Sequence, residues 1–258
     1  MDWHGWWEAL LELVFPGVRL CSFCWKEIEG DAARSGICDE CDRTVMEVST
    51  RLSACPRCGY FSAEEPCPNC FDWDNALKRV IGVVPYEGMY REMAYFLKYG
   101  GKKELAVPLG CLMAQKVKLE GLHRSIRLIV PVPLHPARET ERGYNQSVLL
   151  AREIGRELGI NCGNVLKRIR YEKKQTGLSR SERKSNLDGA FELNPAGEIS
   201  GKNILLVDDI VTTGATLTAA ARCLRQAGAG QVYGLTWAAG SDYKYLSNHA
   251  GRKGLDSE

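Results

Sequence analysis

The stretch richest in possible chemistry is Ile204-Leu-Leu-Val-Asp-Asp-Ile-Val-Thr-Thr-Gly-Ala-Thr-Leu217. Ile204 to Val207 read as a strand buried on both faces, with Asp208 and Asp209 at its C-terminal end. Thr212, Thr213, Gly214, Ala215 and Thr216 then make a small, hydroxyl-rich turn, and Leu217 to Ala227 has helical spacing. The free N–H groups of a first helical turn, together with the helix dipole, favour an anion there. Gly214 lets the backbone come close, and the threonines add hydroxyl donors. Carboxylates repel phosphate, so the two acids need another partner, such as sugar hydroxyls or a bridging Mg²⁺. A phosphorylated sugar satisfies both halves of the stretch. Either half alone is ordinary, since acids often follow an apolar run and Thr-Thr-Gly is also a plain turn and helix cap.

The second chemical constellation is four CxxC pairs: Cys21 with Cys24, Cys38 with Cys41, Cys55 with Cys58, and Cys67 with Cys70. Each pair can present two thiolates from a tight turn, and two pairs complete a tetrahedral zinc site. Joining neighbours gives one site from Cys21, Cys24, Cys38 and Cys41, and another from Cys55, Cys58, Cys67 and Cys70. A cross-braced pairing, iron–sulfur ligation and redox use of a single pair are the competing readings. The segment is too small for a core of its own, so the role expected of the two zinc ions is structural.

These sites need elements to hold them, and 258 residues give room for one large domain or an ordinary one plus a small one. Apolar content of 45% and charged content of 26% suit a soluble globular chain, and a net charge of +2 leaves any basic patch local. No apolar run reaches the roughly twenty residues that span a bilayer. The N-terminus lacks a basic n-region and has acids within its apolar part, so no signal peptide and a cytoplasmic location are expected. In that reducing compartment the eleven cysteines point to metal and not to disulfides.

Trp3 to Phe15 has apolar residues at helical spacing, either as a docking helix or as one lying on the protein's own core. Beyond Leu77 strands alternate with helices. Strands are predicted over Arg79–Tyr86, Leu128–Val132, Gly189–Leu193, Ile204–Val207 and Gln231–Ala238, and helices over Tyr90–Tyr99, Leu105–Leu119 and Asn145–Leu158. This order implies a mostly parallel sheet flanked by helices, with ligands at the carboxyl ends of its strands. The loop after Val132 is then placed beside the loop after Val207. No GxGxxG or GxxxxGK[ST] motif occurs, which argues against dinucleotide-binding and P-loop folds.

Two more stretches carry charge that could face an anion. A Pro-rich, Arg-rich loop follows Val132, from which Arg138 and Arg142 could reach a pyrophosphate, although Glu139 and Glu141 could instead pair with them at the surface. Within it His135 is a conceivable acid or base or a plain solvated histidine. The run from Lys167 to Phe191 is basic and poor in core-formers. It reads as a mobile lid carrying Arg168, Arg170, Gln175, Arg180 and Arg183, as a solvated face, or as a contact for a nucleic-acid backbone.

The Ile204–Leu217 stretch resembles the phosphoribosyl pyrophosphate (PRPP) signature of type I phosphoribosyltransferases: an apolar strand, two acids, a short spacer, then Thr-Gly-x-Thr. The order of features extends this resemblance to nearly the whole chain. A double zinc ribbon precedes Leu97-Lys-Tyr-Gly100, Val130-Pro-Val-Pro-Leu134, Arg142-Gly-Tyr-Asn-Gln146, Gln175-Thr-Gly-Leu-Ser179, Glu182-Arg183 with Asn186, and Gly189-Ala-Phe191. Together these resemble the ComF (ComFC) family of competence-associated phosphoribosyltransferase-like proteins. One departure is Glu172, where members commonly carry threonine.

The resemblance implies an α/β, type I phosphoribosyltransferase fold over 77–240. An N-terminal apolar helix over 1–18, a double zinc ribbon over 19–73 and a polar tail over 241–258 complete the expected organisation. It also implies, in bacteria, a role in DNA uptake and natural transformation; competence and DNA-uptake proteins, and single-stranded DNA through the zinc ribbons and basic segment, are the partners to weigh beside PRPP. Residue 2 is Asp and the N-terminal module is zinc-ribbon-like, so the glutaminase half of an amidophosphoribosyltransferase is not expected. On this reading Thr212 to Thr216 hold the 5′-phosphate of PRPP, while Asp208 and Asp209 meet the ribose hydroxyls. Mg²⁺ and the arginines would stabilise the departing pyrophosphate. The rival expectation is a non-catalytic DNA-binding protein that keeps the fold as a sensor or scaffold.

Overall fold

A computed structural model of the chain describes residues 19–29, 35–70, 74–170, 189–194 and 198–242. The expected helix over Trp3–Phe15, the tail beyond Asp242, and Gln175, Arg180 and Arg183 lie outside the described residues. The chain divides into two compact units, Met1–Thr44 and Val45–Glu258.

In the first unit strand β1 (Arg19–Leu20) pairs antiparallel with β2 (Glu27–Ile28), and Cys21 and Cys24 lie in the turn that joins them. The second CxxC pair sits at the start of a helix, α1 (Asp39–Arg51), within which the division between units falls. Sequence reading did not predict this helix. Its first turn carries Asp39, Glu40 and Asp42 and its last turn Arg51, charges that complement the helix dipole at each end.

The second unit is built on a four-stranded parallel sheet, in the order β3 (Arg79–Pro85), β8 (Val232–Ala239), β7 (Ile204–Val211), β4 (Leu128–Pro131). All eight residues of β8 are buried, which its near-continuous apolar run requires of a strand covered on both faces. Helices α2 (Gly88–Tyr99), α3 (Ala106–Leu119), α5 (Gln146–Leu158) and α6 (Ala215–Gln226) supply Leu97, Leu109, Leu112, Leu150 and Leu224 as fully buried side chains. Trp237 on β8 is fully buried, and its indole N–H is satisfied by the Tyr90 carbonyl at 3.0 Å. A short antiparallel ribbon, β5 (Leu166–Arg168) with β6 (Phe191–Leu193), follows α5.

Two expectations need correction. The strand predicted over Ile204–Val207 runs on to Val211, so Asp208 and Asp209 lie inside β7 and not at its end. The reason is asymmetric pairing. On one side β8 stays paired with β7 out to Val211↔Ala239, whereas the β4 register runs only to Pro131↔Val207. The acids therefore stand where β4 has left the sheet and β8 has not. The stretch read as a Pro-rich, Arg-rich loop also contains a short helix, α4 (Pro136–Arg142). Pro136 opens it, because its fixed φ suits a first helical turn and its missing N–H is not needed there. His135 caps it, its Nδ1 accepting from the Ala137 amide at 3.2 Å, so this histidine has a structural task.

Candidate functional site

The acid pair is met by side chains from two helices, α5 and α2. Asp208 accepts from the Ser147 hydroxyl at 2.8 Å and from the Asp209 backbone amide at 2.9 Å. Asp209 is buried, and its Oδ1 lies 3.4 Å from Gln146 Nε2. Both contacts come from the first turn of α5, whose capping residue Asn145 accepts from the Ser147 amide at 2.9 Å. Asn145 also donates to the Val132 carbonyl at 3.0 Å, which fixes this helix N-terminus against the end of β4. A helix N-terminus facing two carboxylates is an electrostatically favourable placement.

The remaining partner is Lys98, near the end of α2. Its Nζ lies 3.3 Å from Asp209 Oδ2 as an ion pair, yet that oxygen is buried without a hydrogen bond, so the contact is charge to charge and not an aligned donor. Burial pushes the Lys98 ammonium down, but the Asp209 and Asp208 carboxylates outweigh it and raise it above its ordinary value. Burial pushes the half-buried Asp208 up from 3.8 to about 7, helped by the neighbouring Asp209 charge and opposed by Lys98 and Ser147. Asp209 Oδ2 is thus held by charge alone, without an aligned hydrogen bond. Hard cations and hydroxyl donors both suit such oxygens.

The small-residue turn follows directly. Gly214 caps α6 in the left-handed region at φ 75°, a conformation that costs any side chain with a Cβ. Thr213 Oγ1 accepts from the Ala215 amide at 3.4 Å, and Thr218 N–H reaches back to the Gly214 carbonyl at 2.9 Å. Thr212 is exposed, while Thr213, Gly214 and Thr216 are half-buried and Ala215 is buried. The opening turn of α6 has no acidic residue, so no carboxylate of its own repels an anion there.

The arginines divide into two groups. Arg142 is drawn into the acid network: it donates to Gln146 Oε1, and its guanidinium lies 5.1 Å from the centre of the Tyr99 ring. Arg138 sits one turn earlier on α4 and is half-buried. Arg168 instead packs over the Phe191 ring at 5.6 Å, across the β5–β6 ribbon, and exposed Arg170 runs beside Gly189. Arg168 also lines a cavity of 190 Å³ with Pro133, Leu134, Asn145 and Leu166, next to the acid crevice.

The eight predicted thiol ligands gather as two tetrads, each the union of neighbouring pairs, with all four sulfurs within 4.8 Å of one another. A tetrahedral zinc with bonds of about 2.3 Å needs sulfur–sulfur edges of about 3.8 Å. Cys24–Cys38 and Cys58–Cys67 stand at 3.7 Å and Cys55–Cys70 at 3.4 Å, close to that edge and far too long for a disulfide. Burial pushes the Cys21 thiol up, but the Cys38, Cys24 and Phe23 amides outweigh it and bring it down to about 7. Burial raises Cys24, Cys41, Cys58 and Cys70, so neither tetrad can ionise fully without a dication among its sulfurs. Both tetrads could hold zinc.

Known proteins bear on this geometry. Over 226 residues the chain is 33% identical to the DNA utilization protein YhgH of Salmonella typhimurium, a match covering 85% of this chain and 96% of that protein. It is 30% identical over 215 residues to competence protein F of Haemophilus influenzae, covering 79% and 91%. It is also 30% identical over 204 residues to competence protein ComFC of Bacillus subtilis, covering 74% and 79%. The chain belongs to the ComF family. Residues 145–250 match the phosphoribosyl transferase domain, and the ComF fold here is the type I phosphoribosyltransferase fold, a parallel sheet flanked by helices. A glutamine PRPP amidotransferase from B. subtilis is similar at 22% identity and a TM-score of 0.34, over 50% of this chain and 25% of that one. An adenine phosphoribosyltransferase is similar at 17% identity and a TM-score of 0.33, over 52% and 79%.

Within the ComF chain the residues that sequence reasoning passed over are Lys98, Gln146 and Ser147. They lie in stretches that carry the family resemblance, Leu97–Gly100 and Arg142–Gln146, or directly beside one. Their partner in β7 is far away in sequence, so no local spacing marked them.

Proposed function

We propose that this ComF protein binds Mg²⁺–PRPP in the crevice between β7, α5 and α6, and acts on the phosphoribosyl group in the handling of DNA during competence. One observation carries the reading: an acid pair whose Asp209 Oδ2 is ion-paired but not hydrogen-bonded is followed, five residues after Asp209, by a glycine-capped helix N-terminus. The turn Thr212–Thr216 would receive the 5′-phosphate through amides and hydroxyls, as helix N-termini do for anions. Asp208 and Asp209 would accept from the ribose hydroxyls, and their charge would favour the positive character that grows on the ring as pyrophosphate departs. Arg142 and Arg138 would meet the pyrophosphate, and Arg168, Arg170, Gln175, Arg180 and Arg183 would form the lid. Bound Mg²⁺ would neutralise phosphate charge and supply Lewis acidity. The oxygens fit for it are those of the acid pair, Asp209 Oδ2 above all, because that atom is buried without a hydrogen bond. Positioning, and not a dedicated base, would do most of the work on an incoming nucleophile.

The relatives named for DNA utilization and competence support the setting, and the domain match supports the ligand class. In a thermal melt, Mg²⁺–PRPP should raise Tm in proportion to the logarithm of its concentration. Pyrophosphate release should then be followed with a panel of bases, amines and nucleic acids to find the acceptor. No shift at millimolar PRPP would remove the reading.

A second reading, single-stranded DNA binding by the same molecule, is favoured by aromatic rings beside cations at the crevice mouth. Tyr95 and Tyr99 are 56% and 49% exposed, Arg142 lies over Tyr99, and Lys102 over Phe96. Stacking platforms flanked by positive charge suit unpaired bases. Affinity for an oligonucleotide that falls steeply with salt, and falls again in Tyr99→Ala, would support it. Salt-independent or absent binding would dismiss it.

A further inference from the structure

The second cysteine knuckle holds the candidate phosphate turn from outside. Asn69 stands between Pro68 and Cys70, and its side-chain amide donates to the Thr212 carbonyl at 3.2 Å. The same nitrogen lies 3.7 Å from Cys58 Sγ as an N–H···S donor. A single side chain therefore links a tetrad sulfur to the backbone of the turn's first residue.

A second grip comes from the chain around Tyr60. Phe61 N–H donates to the Gly240 carbonyl at 2.9 Å, and Gly240 N–H donates to Val211 at 2.8 Å. A Cβ on Gly240 would stand 2.9 Å from the Tyr60 ring and 3.9 Å from Thr212 Cα, so the ring packs on Gly240, whose backbone lies beside the turn. The knuckle is itself fixed to the sheet, with Val80 N–H donating to the Arg57 carbonyl at 2.7 Å. Gly59, at φ 71°, packs so close to β3 that a Cβ would meet backbone at 3.0 Å.

In a trans peptide the C=O and the following N–H point in opposite directions. Holding the Thr212 carbonyl toward Asn69 turns the Thr213 N–H to the other side, away from the knuckle. The orientation of one donor in the turn is thus set by a side chain whose own place depends on Cys58 and Cys70. Among the described residues Phe61 is the one this knuckle gives to the hydrophobic core, so the cysteine-bearing turns on either side depend for their shape on a metal.

We propose that Asn69 is a positioning residue through which metal loading of the Cys55–Cys58–Cys67–Cys70 tetrad sets the Thr212–Thr213 peptide and the affinity of the turn for phosphate. The affinity half rests on the phosphate reading of the turn; the mechanical half does not. Outer-shell partners of metal ligands commonly orient those ligands, as Asn69 does for Cys58.

The test uses the full, zinc-loaded chain and its Asn69→Ala variant, compared by amide hydrogen exchange at Ala215 and Thr218 and by titration with Mg²⁺–PRPP. Asn69→Ala should stay folded and keep the wild-type zinc content, since the residue is not a ligand. Its turn amides should nevertheless exchange faster, and PRPP should bind roughly fivefold more weakly, the scale of one net hydrogen bond. Partial chelation that empties the second tetrad should produce the same change in wild type and little more in the variant. Unchanged exchange at both amides, in the variant and after chelation, would overturn the proposal. PRPP failing to bind wild type would overturn the phosphate reading and the affinity half, with exchange still deciding the mechanical half.

Discussion

Lys98 sits close enough to Asp209 to neutralise it and too poorly aligned to satisfy it, and that intermediate state has consequences at the scale of single residues. Replacing Lys98 by Met leaves Asp209 without its ion-pair partner. Removing one partner of a buried pair is costly, and allowing for the 26% exposure of the Lys98 side chain we expect a loss of roughly 2 kcal/mol in urea unfolding at pH 8. The Asp208 carboxyl moves from 3.8 to about 7, chiefly through burial, so the folded chain holds that proton more tightly than the unfolded chain does. Its stabilising contribution is complete below the unfolded value of about 4 and is lost as pH rises through about 7. Asp208→Asn should therefore flatten the fall in stability between pH 4 and pH 8 and be the more stable protein at pH 8; a fall as steep as in wild type would contradict the assignment. The same proton opposes ligand binding, so affinity for Mg²⁺–PRPP should rise from pH 6 to pH 8.

At the scale of elements, the strand–turn–helix around Asp208 was legible because everything that defines it is local. Apolar Ile204–Val207, the left-handed Gly214 and the helix after it follow one another along the chain. What was not legible came from pairing. The extension of β7 to Val211 depends on β8, and the approach of Lys98 from α2 joins residues 98 and 209. Helix α4 was hidden by its prolines, which read as loop although Pro136 occupies the one helical position that favours proline. Helix α1 was hidden by its polar composition, since only Val45 and Ser49 are buried along it. Gly214 tests the local part. Alanine there meets open space, with only Val211 Cγ2 at 4.0 Å, but must adopt φ 75°. The cost should be about 1 kcal/mol of stability by denaturant titration, from backbone strain alone. PRPP affinity should fall with it.

For the whole molecule, two cysteine tetrads and a parallel sheet divide the labour between metal and core. The native chain should hold two zinc ions, one per tetrad. A thiol reagent should then label exposed Cys162 first, while the eight tetrad cysteines stay silent until a chelator is added. Rapid labelling of all eleven without chelator would remove the metal sites. Among the described residues no helix is long and apolar enough to cross a membrane. The central claim is that the acid pair and the turn after it form a PRPP site, and it is tested most directly by calorimetric titration of Mg²⁺–PRPP into wild type and the Asp208→Asn, Asp209→Asn double variant. The account predicts one site per chain in wild type and no measurable heat in the folded, zinc-loaded variant. Equal affinity in both proteins would contradict it.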